Sequence, residues 1–241
     1  MILCCKEVVE LNIQGLQKLT LLDYPGKMAC TVFTAGCNLR CPFCHNSRLV
    51  IKPPAETQYT DEEIFSFLKK RVGVLDGVVV TGGEPLLQKD VSQFIAKIKE
   101  LGFLAKLDTN GTMPEKLKEL VSQGLIDYVA MDVKASPGGY GPAVGIGGYD
   151  VSKVGESISF LLENNVDYEF RTTVVREFHS VFAMHDLGKW IKGAKRHYLQ
   201  AFKDSGELIG FGLHEVPKDE MEEMRKILLG YVENCEIRGI D

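Results

Sequence analysis

Three cysteines fall within a span of eight residues, in Gly36-Cys37-Asn38-Leu39-Arg40-Cys41-Pro42-Phe43-Cys44-His45-Asn46. Thiolates are soft ligands that select iron-sulfur clusters, zinc or copper(I), and so short a span wraps one small object. No fourth cysteine follows at cluster spacing, so a cluster held here keeps one iron open to a substrate. A zinc site built from Cys37, Cys41, Cys44 and His45 is the alternative. Zinc sites usually divide their ligands into two separated pairs, and a contiguous third cysteine beside a histidine suits a tetrahedron poorly. The cluster is the favoured reading. Gly36 lets the backbone turn sharply, Pro42 stiffens the loop, and Phe33 and Phe43 can shield a cluster from water.

Other candidates carry less chemistry. Cys30 lies inside a predicted strand and reads as core, while Cys4, Cys5 and Cys235 have no partner at motif spacing and read as inert thiols. His179, His185, His197 and His214 lack the spacing of a metal pair. Gly82-Gly83-Glu84-Pro85 is by itself a weak signal, since a Gly-Gly turn serves wherever positive φ is needed and Pro85 can open a helix. The glycine-rich stretch from Pro137 to Gly148 is not led into by a strand and lacks a following Lys-Ser/Thr, so it is not a phosphate cradle. It reads as a mobile loop at the mouth of a site.

These residues need a scaffold, and the hydrophobic pattern supplies one. Residues 28–34 (MACTVFT) read as a buried strand that runs directly into the cysteine loop. Gly77 to Thr81 reads as a second strand, ending at Gly82-Gly83-Glu84-Pro85, and Val91, Phe94, Ile95, Ile98 and Leu101 recur at helical spacing after it. Phe103 to Asp108 is the next strand, followed by a helix from about Pro114 to Gln123. Tyr128 to Val133, Tyr168 to Val175 and Tyr198 to Phe202 complete the series, with helices between them. Thr60-Asp61-Glu62-Glu63 has capping-box spacing. Strands alternating with helices imply a parallel sheet of about six units, fewer than the eight of a closed barrel. At the ends, Leu11 to Leu22 is expected to form a small strand pair, and Pro217 to Leu229 a helix before a last strand near Val232 to Ile237.

The chain has 241 residues, 45% hydrophobic and 25% charged, the make-up of an ordinary globular protein. Its net charge of -5 gives no reason to expect nucleic acid as a partner, and no apolar run reaches membrane-spanning length. The N-terminal residues do not read as a secretory signal, so a cytoplasmic location is expected. Seven cysteines in a reducing compartment argue for metal or redox chemistry over disulfides.

A Cys-x3-Cys-x2-Cys triplet at the end of the first strand of such a chain resembles the radical S-adenosylmethionine (SAM) superfamily. The resemblance implies an α/β fold, a partial (β/α)6 TIM-like barrel, in one domain over residues 1–241. Its core spans about 15–202, with an N-terminal extension 1–14 and a C-terminal accessory segment 203–241. It further implies a 4Fe-4S cluster on Cys37, Cys41 and Cys44 whose open iron chelates SAM, and reductive cleavage to a 5'-deoxyadenosyl radical. The flanks Asp23-Tyr24-Pro25-Gly26 and Cys44-His45-Asn46 look like those of the glycyl-radical-enzyme activases. Residues 168–175 and 198–202 look most like the activating proteins of anaerobic ribonucleoside-triphosphate reductase.

By that resemblance SAM is bound by Phe43, Gly82, Gly83, Glu84, Pro85, Asp108, Asn110, Asp132, Lys134 and Arg171. Asp108, Thr109, Asp132 and the Ala130 carbonyl would hold a monovalent cation; hard oxygens at adjacent strand ends suit one. The alternative there is two carboxylates, one paired with Lys134. Relatives often carry a histidine after the sixth strand; Phe202-Lys203-Asp204 stands there instead, so no such role is carried over. The implied partners are a glycyl radical enzyme, whose glycine loop the segment 137–148 would admit, and a flavodoxin or ferredoxin as electron donor. The rival readings are an activase of another glycyl radical enzyme, of the pyruvate formate-lyase type, and a radical SAM enzyme acting on a small molecule, such as a deazaguanine synthase-like protein.

Overall fold

The computed structural model describes residues 11–240; Cys4 and Cys5 lie outside them. Strand β1 (Ile13–Thr20) runs antiparallel to β2 (Ala29–Thr34), and from β2 onward every neighbouring pair is parallel. The following strands are β3 (Gly77–Gly82), β4 (Leu104–Thr109), β5 (Tyr128–Asp132), β6 (Asp167–Val174), β7 (His197–Ala201) and β8 (Cys235–Arg238). They stand side by side in chain order in one sheet, and β8 does not pair back onto β1. Strands β2 to β7 are the six units of a partial barrel, and β8 extends it along the open edge.

The strand pair expected within residues 11–22 is instead a single strand, β1, whose partner is β2. The reversal comes later, at Tyr24-Pro25-Gly26-Lys27, where Lys27 N–H donates to the Tyr24 carbonyl at 3.1 Å and Gly26 has φ +66°. Proline then glycine at the two central positions is the residue pattern of a type II turn.

The crossovers are helical because parallel neighbours require them. Helices α1 (Ser47–Ile51) and α2 (Asp61–Lys69) lie between β2 and β3, α3 (Val91–Glu100) between β3 and β4, and α4 (Pro114–Ser122) between β4 and β5. Helices α5 (Tyr140–Val144) and α6 (Ser152–Leu162) precede β6, α7 (Val181–Trp190) precedes β7, and α8 (Lys218–Leu228) precedes β8. Thr60 and Glu63 form the expected capping box at the start of α2. Pro114 opens α4, where its missing N–H costs nothing.

The segment expected as a mobile loop, Pro137 to Gly148, is largely folded. It forms a short 3-10 turn (Pro137–Gly139) and then α5, whose Tyr140, Ala143 and Val144 are fully buried. Its anchor is the cysteine loop: Arg40 N–H donates to the Val144 carbonyl at 3.0 Å. Gly145, at φ +70°, sits so close that a Cβ there would lie 2.2 Å from the Arg40 carbonyl oxygen.

Alternation along the strands separates two environments. On the outer face Val78, Val80, Leu107, Val129, Met131 and Phe170 pack under the helices in one large core. On the inner face the apolar cluster is small, Tyr24, Ala29, Val79 and Tyr128. Above it stand charged and hydrogen-bonded groups. Tyr128 donates its hydroxyl to Glu169 at 3.0 Å, and Arg238 of β8 binds both oxygens of Glu169, at 3.1 and 3.3 Å. The same guanidinium lies 3.3 Å from the centroid of the Tyr198 ring. Arg238 is therefore a barrel residue, contributed by the accessory strand.

Candidate active site

The carboxyl ends of β2 to β7 surround one cavity of about 220 Å³, room for many waters and not a packing defect. Cys37, Cys41, Cys44 and Phe43 form one side of it. Gly82 and Gly83 follow β3, Asp108 and Asn110 close β4, and Asp132, Lys134 and Arg171 complete the wall. Parallel register explains the convergence: Thr34 stands opposite Gly82, and Asp132 opposite Arg171.

The cysteine loop is held from several directions. Asn46 Nδ2 donates to the Gly82 carbonyl at 2.9 Å, and Glu84 N–H donates to the Gly36 carbonyl at 2.8 Å. Both glycines of the second turn are required by that approach. A Cβ on Gly82, whose φ is +119°, would lie 2.3 Å from the Thr34 carbonyl oxygen, and one on Gly83 would lie 2.0 Å from the Gly36 carbonyl oxygen.

Three free thiols line this cavity, a donor set that suits a multinuclear cluster and not a single metal ion. None of the five described cysteines is in a disulfide, and three of them share the cavity while Cys30 and Cys235 are buried elsewhere. Burial pushes the Cys41 thiol up to about 12, against the pull of Lys134. Burial also raises Cys37 and Cys44, opposed first by the backbone N–H groups of Leu39 and Asn46 respectively. A cluster would replace those protons. Two donors already face Cys37 Sγ, Leu39 N–H at 3.4 Å and Asn110 Nδ2 at 3.7 Å. The Cys3His alternative loses support, because among the described residues no three His, Cys, Asp or Glu side chains converge closely enough to hold a single metal ion.

Two of the expected SAM residues do not line the cavity. Pro85 is buried in the 3-10 turn Pro85–Leu87, and Glu84 is a fully buried brace. Its carboxylate accepts from Asn110 N–H at 2.7 Å, Thr109 Oγ1 at 2.9 Å and Leu86 N–H at 3.2 Å. Burial raises this carboxyl to about 7, while those bonds pull it down. Glu84 thus ties the β3 turn to the β4 turn, and its oxygens are spent.

The strand-end carboxylates are also occupied. Arg171 bridges them, Nε to Asp132 Oδ1 at 2.8 Å and Nη1 to Asp108 Oδ2 at 3.1 Å. Lys134 Nζ meets Asp132 Oδ2 at 2.9 Å, and Lys106, buried inside the barrel, pairs with Asp108 Oδ1. Burial alone would raise both carboxyls, but Arg171 first and a lysine next hold Asp108 and Asp132 below the usual range. The expected cation ligands therefore do not form a vacant oxygen cage. Thr109 turns its hydroxyl to Glu84, and Ala130 is buried opposite Asp108 in the sheet.

Sequence reading assigns no site role to Thr81, Lys106, Thr173 or Gln200, and offers His45 only as a zinc ligand. His45 comes from the cysteine loop, yet its ring packs by Phe202 at a centroid distance of 6.0 Å. A histidine thus reaches the sixth-strand side from the opposite end of the chain; its adjacency to Cys44 was the available signal. Lys106 could have been found from alternation, two residues before Asp108 on the same strand face. Thr173 and Gln200 line the cavity where it opens toward β8.

Comparisons with known proteins agree with this geometry. The family model described as the radical SAM superfamily matches residues 31–180. A protein of Methanocaldococcus jannaschii, assigned provisionally to the glycyl-radical enzyme activating enzymes, is 36% identical over 235 residues, covering 95% of this chain and 96% of that one. The 7-carboxy-7-deazaguanine synthase of Koribacter versatilis is 31% identical over 157 residues, covering 64% of this chain and 65% of its own. Among solved structures, Streptococcus suis SuiB bound to its precursor peptide SuiA superposes with a TM-score of 0.66 at 13% identity, over 87% of this chain and 48% of that one. At that identity the likeness is one of fold.

Proposed function

This chain belongs to the radical SAM superfamily, and from that membership we propose that it is the activating enzyme of a glycyl radical enzyme, anaerobic ribonucleoside-triphosphate reductase in particular. The observation that carries the reading is the match to an activating-enzyme relative along nearly the whole of both chains, where the deazaguanine synthase shares about two thirds. The Tyr24-Pro25-Gly26 and His45-Asn46 flanks support an activase, and residues 168–175 and 198–202 support the reductase in particular.

Cys37, Cys41 and Cys44 would hold a 4Fe-4S cluster. Cluster and SAM together would supply an electron and a hydrogen-abstracting radical. The chain's own residues do the positioning. Asn46 and Gly83 fix the cysteine loop against β3, and Phe43, 3% exposed and packed on Phe178, keeps water from its inner side. Asn110 directs its side-chain amide toward Cys37 and Asn38, and Lys134 and Arg171 present positive charge to the cavity that suits the carboxylate of SAM. A second hollow beside Arg238 shares His45, Thr173 and Gln200 with the cavity on the unclosed side of the sheet, where a bulky glycine loop would have a route inward. A low-potential flavodoxin or ferredoxin would deliver the electron.

The test is direct. The anaerobically reconstituted, reduced protein is incubated with SAM and candidate glycyl radical enzymes, and the mixture is examined by electron paramagnetic resonance. A glycyl doublet on the reductase supports the proposal. SAM cleavage that produces no doublet on any candidate, but turns over the substrate of the deazaguanine synthases, would move the chain to the small-molecule reading.

A further inference from the structure

We propose that Arg171, flanked by Lys106 and Lys134, is the built-in counter-cation of the Asp108–Asp132 pair, so that the site takes no monovalent metal ion and directs the free edge of the guanidinium at an anionic cosubstrate. The inference rests on the SAM-binding reading of the cavity. Its support is an oxygen-by-oxygen account. Asp108 Oδ1 is paired with Lys106, and Asp108 Oδ2 accepts from Arg171 Nη1 at 3.1 Å and from Thr81 Oγ1 at 3.2 Å. Asp132 Oδ1 accepts from Arg171 Nε at 2.8 Å and Asp132 Oδ2 from Lys134 Nζ at 2.9 Å.

All four carboxylate oxygens are thus engaged by protein donors. Three of these oxygens keep a second lone pair, but the negative charge that a hard cation would neutralise is already met by Lys106, Lys134 and Arg171, and the hydroxyl that would join the ligands, Thr109 Oγ1, instead donates to Glu84 and accepts from Gly111 N–H at 3.2 Å. Charge leads to the same conclusion. Two carboxylates face three cations, and a metal ion seated here would lie against the guanidinium in a partly buried setting. Arg171 is 14% exposed, lines the cavity, and has Nη2 unengaged among the described residues. A guanidinium with a free edge suits a carboxylate.

The experiment uses the cluster-reconstituted protein in potassium, sodium or choline chloride at equal ionic strength. Two quantities are read, the urea midpoint without SAM and the SAM dissociation constant by calorimetry. The native protein is expected to show the same midpoint in all three salts and a dissociation constant within about twofold. Arg171→Gln removes the charge and frees carboxylate oxygens, so it should acquire a saturable potassium or sodium dependence, with at least about tenfold tighter SAM binding than in choline. Arg171→Lys keeps the charge and should stay indifferent. A saturable cation effect on the native midpoint overturns the proposal, and so does an Arg171→Gln protein that is indifferent to salt. Should Arg171→Gln not fold, the native and Arg171→Lys measurements decide. Failure of the native protein to bind SAM in any salt, with an unchanged midpoint, would count against the SAM reading instead.

Discussion

Asn46, two residues beyond the last cysteine of the triplet, donates its side-chain amide to the backbone carbonyl of Gly82 at 2.9 Å, joining the cysteine loop to the turn that ends β3. The bond crosses between two elements that would hold different partners, cluster on one side and SAM on the other. Asn46→Ala leaves the Gly82 carbonyl without this donor, at a cost of about 1–3 kcal/mol. Iron content should be little changed, while SAM binding weakens, tenfold for about each 1.4 kcal/mol lost in the loaded state. Calorimetry beside an iron assay separates the two effects.

Cysteine replacements should divide by location. Alanine at Cys37, Cys41 or Cys44 is expected to remove most of the about four irons of the reconstituted protein and its visible absorbance. Alanine at Cys30 or Cys235 opens only a small gap in the core and should retain the iron. Retention of a full cluster by Cys41→Ala would contradict the assignment.

Glu84→Gln tests the brace. Three donors converge on this carboxylate, and an amide presents N–H groups where an acceptor is needed, so at least one donor loses its partner. A loss of about 1–3 kcal/mol is expected in urea unfolding. It should appear in the protein without SAM as well as with it, as a bracing role requires and a purely SAM-contacting role does not.

The glycines separate close approach from mere flexibility. Gly83→Ala drives a methyl group to 2.0 Å from the Gly36 carbonyl oxygen, backbone that cannot move aside without the cysteine loop, whereas a methyl on Gly147 meets nothing within 4 Å. Gly83→Ala should cost at least about 2 kcal/mol and lower iron incorporation, and Gly147→Ala should stay within about 0.5 kcal/mol of the native protein. Equal stability and equal iron in the two variants would refute the packing account.

Acid should destabilise the fold through His197. This imidazole is fully buried; its Nε2–H donates to Thr172 Oγ1 at 3.0 Å, and that hydroxyl donates onward to the Val133 carbonyl, while Nδ1 has no partner among the described residues. Burial lowers the ring from 6.5 to about 3. Below about 6.5 the unfolded chain takes a proton that the folded one refuses, so this contribution is whole above that pH and is lost as pH falls toward 3. The slope is up to about 1.4 kcal/mol per pH unit. His197→Gln keeps a donor at the Nε2 position and does not titrate, so the stability difference between the two proteins should change by about 2 kcal/mol between urea titrations at pH 7 and at pH 5. Buried His179, lowered for the same reason, acts in the same direction in both proteins and cancels from the difference.

The cysteine triplet, the alternation of strands and helices and the capping box were legible because each rests on neighbours a few residues apart. Local chemistry was enough to read them. Ligand type follows from thiols at fixed spacing, and a parallel sheet follows from strands whose connections are helical. The site's electrostatics could not be read that way. Asp132 and Arg171 are 39 positions apart in sequence and stand opposite one another only because β5 and β6 pair in that register. Glu84 could be matched to a motif, but its outcome depended on which donors arrived from β4. The glycine-rich segment had the composition of a loose loop, and contact with Arg40 and a buried tyrosine folded it. In each case the sequence by itself determined which groups were available, and the tertiary structure decided which were already spent, since burial forces every charge and hydrogen-bonding group to find its partner from whatever strand lies beside it.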